Sequence, residues 1–252
     1  MTYSLIIPAY NESDRITATL DKVLAYIAAQ KWQCEVIVVN DGSRDQTADI
    51  VRGYSKSHPM VRLVENPGNR GKGYSVRNGV MNSHGDLLLF SDADLSSPVY
   101  EAPKLFDQIA AGADIAIGSR WLKRETQTVR QPLYRQLAGR VGNLLVRTIL
   151  GLRYKDTQCG FKAFTRKAAL QVFPRQTIER WGFDFELLYL AKRMRLKVVE
   201  IPVEWADDRR TKVDPLKDAV KMFGELLKVR WNAMTGRYSE VAPAVVPQAG
   251  TK

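Results

Sequence analysis

The stretch Gly85-Asp86-Leu87-Leu88-Leu89-Phe90-Ser91-Asp92-Ala93-Asp94-Leu95-Ser96-Ser97-Pro98 decides the fold. Leu87 to Phe90 is an unbroken apolar run, too short for a typical helix and suited to a parallel strand buried on both faces. In open α/β sheets ligands bind beyond the carboxyl ends of the strands, so a buried strand ending in Asp-x-Asp carries two hard oxygen donors to the ligand crevice. Asp92 and Asp94 therefore suit Mg²⁺ or Mn²⁺, which take only one or two carboxylates when substrate phosphates complete the shell. The competing reading is a solvated turn in which an Asp caps its own backbone.

The same pattern repeats upstream. Ser4 to Pro8 predicts a buried strand, followed by the polar turn Ala9-Tyr10-Asn11-Glu12-Ser13 and a helix from about Arg15. In that helix Ile16, Leu20, Val23, Leu24 and Ile27 share one face. Glu35 to Val39 predicts a second strand, ending in Asn40-Asp41-Gly42-Ser43, again with an acid at the carboxyl end. A helix opened by Asp45, Thr47 and Asp49 and a strand at 61–64 continue the alternation. Strand and helix in turn argue for right-handed crossovers and a mostly parallel sheet with helices on both faces. Asn66 to Gly73 (Asn-Pro-Gly-Asn-Arg-Gly-Lys-Gly) is a glycine-rich basic loop that introduces a helix over 74–81. Its amides and Lys72 form either a phosphate cradle or a flexible turn with solvated cations. The glycine spacing is not that of a Walker A loop, and a dinucleotide fingerprint would follow the first strand.

Downstream, a helix is expected over 102–111 and a short strand over 115–118, leading to Ser119-Arg120. From Pro132 to Leu150 an apolar stripe (Leu133, Leu137, Val141, Leu144, Leu145, Ile149) is punctuated by Arg135, Arg140 and Arg147. From Pro215 to Trp231 a second stripe (Leu216, Val220, Phe223, Leu227, Trp231) runs beside Lys217, Lys221, Lys228 and Arg230. Each fits a core helix with solvated edges or a helix lying in a membrane interface. Between them, Asp156 to Phe164 mixes polar, glycine and aromatic residues too densely for a simple connector. Arg180 to Leu190 begins a helix that offers Asp184 and Glu186, and a late strand follows over 197–203. From about Ser239 the sequence lacks periodicity, which predicts one domain over 1–238 and a disordered tail over 239–252.

A chain of 252 residues with 45% hydrophobic content buries an ordinary core. The net charge of +11 calls for polyanionic surroundings: nucleic acid, a phosphorylated substrate, or an anionic membrane face. Basic residues are dispersed and no recognition motif is present, so nucleic acid is not an expected partner. Cys34 and Cys159 offer neither metal-ligand spacing nor a disulfide framework, so a reducing compartment is the default expectation and a cytoplasmic location is expected. No window approaches the roughly 18 apolar residues of a membrane span, so contact with the cytoplasmic membrane face is expected to be peripheral.

Taken in order, several motifs resemble the family 2 nucleotide-sugar glycosyltransferases of the GT-A fold, in particular the polyprenyl- and dolichyl-phosphate sugar synthases. These are Ile-Pro-Ala-Tyr-Asn-Glu at 7–12, Val-Val-Asn-Asp-Gly-Ser at 38–43, Asn-Arg-Gly-Lys-Gly at 69–73, Asp-Ala-Asp at 92–94 and Gly-Ser-Arg at 118–120. Asp-Thr-Gln-Cys-Gly-Phe-Lys at 156–162 and Arg-Trp-Gly-Phe-Asp-Phe-Glu-Leu-Leu at 180–188 look more like the dolichyl-phosphate β-glucosyltransferase branch. The resemblance implies a GT-A type, Rossmann-like sheet with C-terminal amphipathic helices. It also implies transfer of glucose from UDP-glucose to a dolichyl or polyprenyl phosphate, with Mg²⁺ or Mn²⁺ as cofactor. GDP-mannose as donor, or a saccharide as acceptor, are its alternatives.

Residue by residue, the resemblance places Pro8, Ala9, Tyr10, Glu12, Val39 and Asp41 around the nucleoside and Asp92, Ala93 and Asp94 at the diphosphate and metal. Arg120 and Lys212 fall on phosphate-contacting positions, Lys72 is a further candidate, and Arg135 joins Arg120 and Lys212 toward the lipid phosphate. A polyprenyl monophosphate already carries an anionic oxygen and needs orientation more than deprotonation. Asp184 and Asp156 can therefore be bases, orienters of the sugar, or structural caps. The loop before Lys212 departs from the glucosyl branch, with Arg210-Thr211 in place of Gly-Ser, and Ala206 stands where the mannosyl synthases carry an Arg.

Overall fold

The computed structural model describes residues 1–123, 125, 127–129, 133–207 and 215–239. The tail expected after Ser239 and the Lys212 loop lie outside the described residues, as do the side chains of Arg135 and Lys217. Nine strands and eight helices are present among the described residues: β1 (Tyr3–Ala9), α1 (Ile16–Gln30), β2 (Cys34–Asn40), α2 (Thr47–Ser57), β3 (Val61–Glu65), α3 (Lys72–Met81), β4 (Leu87–Ser91), α4 (Ala102–Ala110), β5 (Ile115–Ser119), β6 (Gln127–Val129), α5 (Leu133–Leu150), β7 (Phe161–Thr165), α6 (Arg166–Val172), α7 (Phe183–Arg193), β8 (Val198–Pro202), β9 (Trp205–Ala206) and α8 (Pro215–Met234).

Seven strands form one sheet in the order β3-β2-β1-β4-β7-β5-β8, and β6 pairs with β9 in a separate two-stranded sheet. In the large sheet β3, β2, β1 and β4 are parallel, as are β5 and β8. β7 alone runs antiparallel, between β4 and β5. The period-2 alternation of a strand sorts the core into two layers. Leu5, Ile7, Val36, Val38, Leu87 and Leu89 meet α1, α2 and α4 on one face. Ile6, Ile37, Val39, Leu88 and Phe90 meet α3 and α5 to α8 on the other.

Several elements depart from the sequence-based expectation. The dense 156–164 stretch ends in a strand, β7, and the helix α6 follows it directly, begun by Thr165, whose side-chain oxygen accepts from the Ala168 amide as an N-cap. The helix expected from Arg180 begins at Phe183. The late helix extends past Trp231 to Met234.

Candidate active site

The carboxyl ends of β1, β2 and β4 deliver the sequence-predicted residues to one edge of the sheet. Hydrogen bonds knit the first two of these loops together: the Asn11 amide donates to Ser43 Oγ (2.9 Å), the Glu12 amide to Thr47 Oγ1 (2.8 Å) and the Ser13 amide to Asp45 (3.0 Å). Asp41 is buried, and its carboxylate accepts from Asn66 Nδ2 (2.7 Å) and from the amides of Arg70 and Gly71 (both 2.8 Å). It thus holds the glycine-rich loop in place. Gly71 can occupy that loop because its φ of +108° is strained for other residues and a Cβ there would lie 2.6 Å from the Glu179 carbonyl. Val39 is fully buried, packed in the core with Ile6, Val76 and Val80. Pro8 and Tyr10 remain partly open at the crevice, while Ala9 and Ala93 are buried.

The loop passes directly to the acids after β4. Lys72, the first residue of α3, places its Nζ 2.5 Å from Asp92 Oδ1. On the other side Arg15 joins Glu12 at 2.6 Å and approaches Asp94 at 3.9 Å, and Thr19 donates its hydroxyl to the Ala93 carbonyl at 2.5 Å. Asp94 also accepts from the Ser96 amide (2.8 Å). Burial, and then the neighbouring Asp92 charge, push the Asp94 carboxyl above its ordinary value. Burial alone would lower the Lys72 ammonium, but Asp92, Asp184 and Asp94 outweigh it and raise the net value.

Two further ion pairs complete the floor. Arg120, just beyond β5, grips Asp156 through Nε (2.7 Å), a terminal guanidinium nitrogen (2.8 Å) and its own amide (3.0 Å). The guanidinium lies 5.6 Å from the ring centres of both Trp121 and Trp205. Burial opposes ionisation of Asp156, yet the Arg120 charge and hydrogen bonds prevail and hold its carboxyl below the usual range. Lys162, the second residue of β7 and fully buried, donates to Asp184 Oδ1 and to the Cys159 carbonyl, both at 2.5 Å, with its ammonium 5.5 Å from the Phe90 ring centre. Burial pushes the Asp184 carboxyl up, against the pull of Lys162 and Lys72.

Lys162 was not among the residues expected at the site. Its signal is a lysine inside the apolar run Phe161-Lys162-Ala163-Phe164, because a charge in a buried strand demands a partner. Gly160 is a second such residue: a Cβ there would meet the Asp92 carboxyl carbon at 2.7 Å, so any side chain at this position would have to displace the acid. The crevice thus alternates carboxylates and cations, Arg15 with Glu12 and Asp94, Lys72 with Asp92, Lys162 with Asp184, and Arg120 with Asp156. Among the described residues no group of three or more metal-ligating side chains converges.

The model of the family described as glycosyl transferase family 2 matches residues 4–173. A dolichyl-phosphate beta-glucosyltransferase of Trichomonas vaginalis is 40% identical over 240 residues, covering 90% of this chain and 70% of that protein. The Homo sapiens dolichyl-phosphate beta-glucosyltransferase is 33% identical over 252 residues, covering 93% and 76%. Among solved structures, glucosyl-3-phosphoglycerate synthase from Mycobacterium tuberculosis, in complex with Mn²⁺, UDP-glucose and phosphoglyceric acid, superposes with a TM-score of 0.65 at 19% identity, covering 97% of this chain and 82% of that one. The likeness is one of fold, and it places the sheet in the expected GT-A architecture.

Proposed function

The chain belongs to glycosyl transferase family 2, and we propose that within it the protein transfers glucose from UDP-glucose to a dolichyl or polyprenyl phosphate with inversion, giving a β-linked lipid-phosphate sugar. One observation in the site carries the choice of acceptor. The two candidate bases, Asp156 and Asp184, are both committed to buried ion pairs, with Arg120 and Lys162. Deprotonating a sugar hydroxyl calls for an available carboxylate, whereas a phosphate monoester brings its own anionic oxygen. The names of the relatives support the same acceptor and the same sugar.

The nucleoside lies in this reading against Pro8, Ala9 and Tyr10, in the crevice walled by the interlocked loops after β1 and β2, with Glu12 toward the ribose. Asp41 acts there by fixing the loop that carries Lys72. Asp92 and Asp94 fit a divalent ion: both are hard carboxylates, and a cation would offset the burial and the neighbouring Asp92 charge that together raise Asp94. Such an ion supplies charge neutralisation at the leaving diphosphate. Arg120 is held rigid by Asp156 and two indole rings, which orients it toward a phosphate of donor or acceptor. Arg135 and Lys212 are proposed to join it on the acceptor side. Attack from the face opposite the nucleotide inverts the anomeric carbon.

A membrane-bound acceptor requires a surface that meets lipid. No helix among the described residues is long and apolar enough to cross a membrane. α5 and α8 pack together, bury Val146, Leu150, Leu226 and Val229, and turn Leu137, Val141, Leu144, Val220, Phe223, Leu227 and Trp231 outward, with Trp231 65% exposed. Lys221, Lys228 and Arg230 are exposed on the same helix. Apolar and basic side chains together suit the headgroup boundary of an anionic cytoplasmic leaflet.

The test is incubation with labelled UDP-glucose or GDP-mannose, Mg²⁺ or Mn²⁺, and a polyprenyl phosphate, a free saccharide or 3-phosphoglycerate as acceptor. Label should pass from UDP-glucose into the organic phase, in a mild-acid-labile β-linked product. Transfer only to a soluble acceptor would overturn the lipid reading, and transfer only from GDP-mannose would overturn the donor.

A further inference from the structure

Lys72 stands in an unfavourable place for a cation. It is the first residue of α3, where the helix dipole favours negative charge. Its side chain nonetheless reaches across the crevice to Asp92 at 2.5 Å, beneath Trp181 and Phe183, whose ring centres lie 5.8 and 6.0 Å from Nζ. The glycine-rich loop that aims it is anchored by the buried Asp41 through the Arg70 and Gly71 amides. The ammonium therefore neutralises one of the two carboxylates on which the proposed ion depends, from the end of a helix suited to bind phosphate.

We infer that Lys72 is the resident counter-ion of the Asp-x-Asp pair, exchanging with the divalent ion at Asp92 and turning to the nucleotide diphosphate once displaced. This inference rests on the metal assignment above and adds an order to it. A divalent ion alone must compete with Lys72 and binds weakly. A divalent ion arriving with a nucleotide diphosphate gives the displaced ammonium an anion to pair with, so ion and nucleotide strengthen each other's binding. By linkage the effect is reciprocal. The lysine's positive charge offsets the repulsion between Asp92 and Asp94.

The experiment counts free Mn²⁺ by electron paramagnetic resonance during titration of the whole chain, with and without UDP. Lys72→Met is compared with wild type and with Lys104→Met, which removes the same charge from a pair with Glu101 on the other face of the sheet. Without UDP, Lys72→Met should bind Mn²⁺ about tenfold more tightly than wild type, the order expected for removing a charge-assisted competitor. Lys104→Met should not. With UDP saturating, the advantage should vanish or reverse, so that the UDP-induced gain in Mn²⁺ affinity is smaller in Lys72→Met than in wild type. Equal Mn²⁺ affinities for wild type and Lys72→Met without UDP would overturn the exchange, leaving the metal assignment standing if UDP still promotes binding in both. Absence of Mn²⁺ binding in every condition would overturn the exchange and the metal assignment together. Thermal melting of each variant identifies a lysine that is only a structural clip: Lys72→Met would then lose stability with no change in Mn²⁺ binding, which also overturns the inference.

Discussion

Charge arrangement at single residues dominates this site, and its effects separate cleanly from packing. Asp94 lies in a loop, so Asp94→Asn removes a carboxylate charge without removing core volume. Transfer should fall on the order of 100-fold or more, while the melting temperature moves by no more than about 4 °C; loss of the fold alongside activity would mark the residue as structural. Asp156 behaves differently, because its folded-state value is depressed. An acid of this kind adds stability that is complete above its unfolded value, near pH 4, and is lost as pH falls through the folded value. Asp156→Asn leaves the half-buried Arg120 without its carboxylate and should cost about 2 to 4 kcal/mol at pH 7, less than a fully buried pair because Arg120 keeps some contact with water. Urea denaturation at stepped pH should show the gap to wild type narrowing on acidification. A gap that widens would contradict the assigned sign. Asp92 and Asp94 were legible in the sequence because they follow an apolar run. The function of Asp41 was legible only in part, since nothing in Asn-Asp-Gly-Ser tells that both oxygens turn to the amides of a loop some thirty residues later.

At the scale of elements, legibility followed the length and purity of the hydrophobic pattern. β1, β2, β4 and β5 are plain because each is a compact apolar block between polar turns. β7 was hidden because Lys162 interrupts its apolar run and the preceding Asp156 to Gly160 reads as irregular chain; the partner that makes a buried lysine tolerable, Asp184, is 22 residues away. The α5 and α8 stripes were visible, but spacing alone could not say which face meets solvent. The structure shows each helix with one buried side and a second apolar side turned outward. Charge reversal on the exposed basic residues tests what that outward side meets. Lys221→Glu with Lys228→Glu and Arg230→Glu should release the protein from anionic liposomes, since each basic residue near such a surface contributes on the order of 1 kcal/mol. UDP affinity should be unchanged. Cosedimentation equal to wild type would assign the helices to another contact.

Over the whole molecule, the candidate site draws on both halves of the sheet, so filling it should stabilise the entire fold. UDP with Mn²⁺ at about 100 times the dissociation constant should add about 2.7 kcal/mol and raise the melting temperature by roughly 5 to 10 °C. In Asp94→Asn the increment should largely disappear; an undiminished shift would place nucleotide and ion elsewhere. The antiparallel strand β7 has a further consequence, for the order in which the chain is assembled during synthesis. β1 to β4 arise as consecutive crossovers that can pair as they emerge, but the far edge of β4 stays open until Phe161–Thr165 has left the ribosome and inserted beside it. Until then a nascent chain exposes Leu87 to Ser91 as an unpaired apolar edge, the kind of surface that recruits holdase chaperones or a neighbouring strand. Lys162 arrives on that same strand and Gly160 immediately before it, so the moment that seals the edge also sets the glycine and lysine beside Asp92 and Asp184, and catalytic competence cannot precede protection from aggregation.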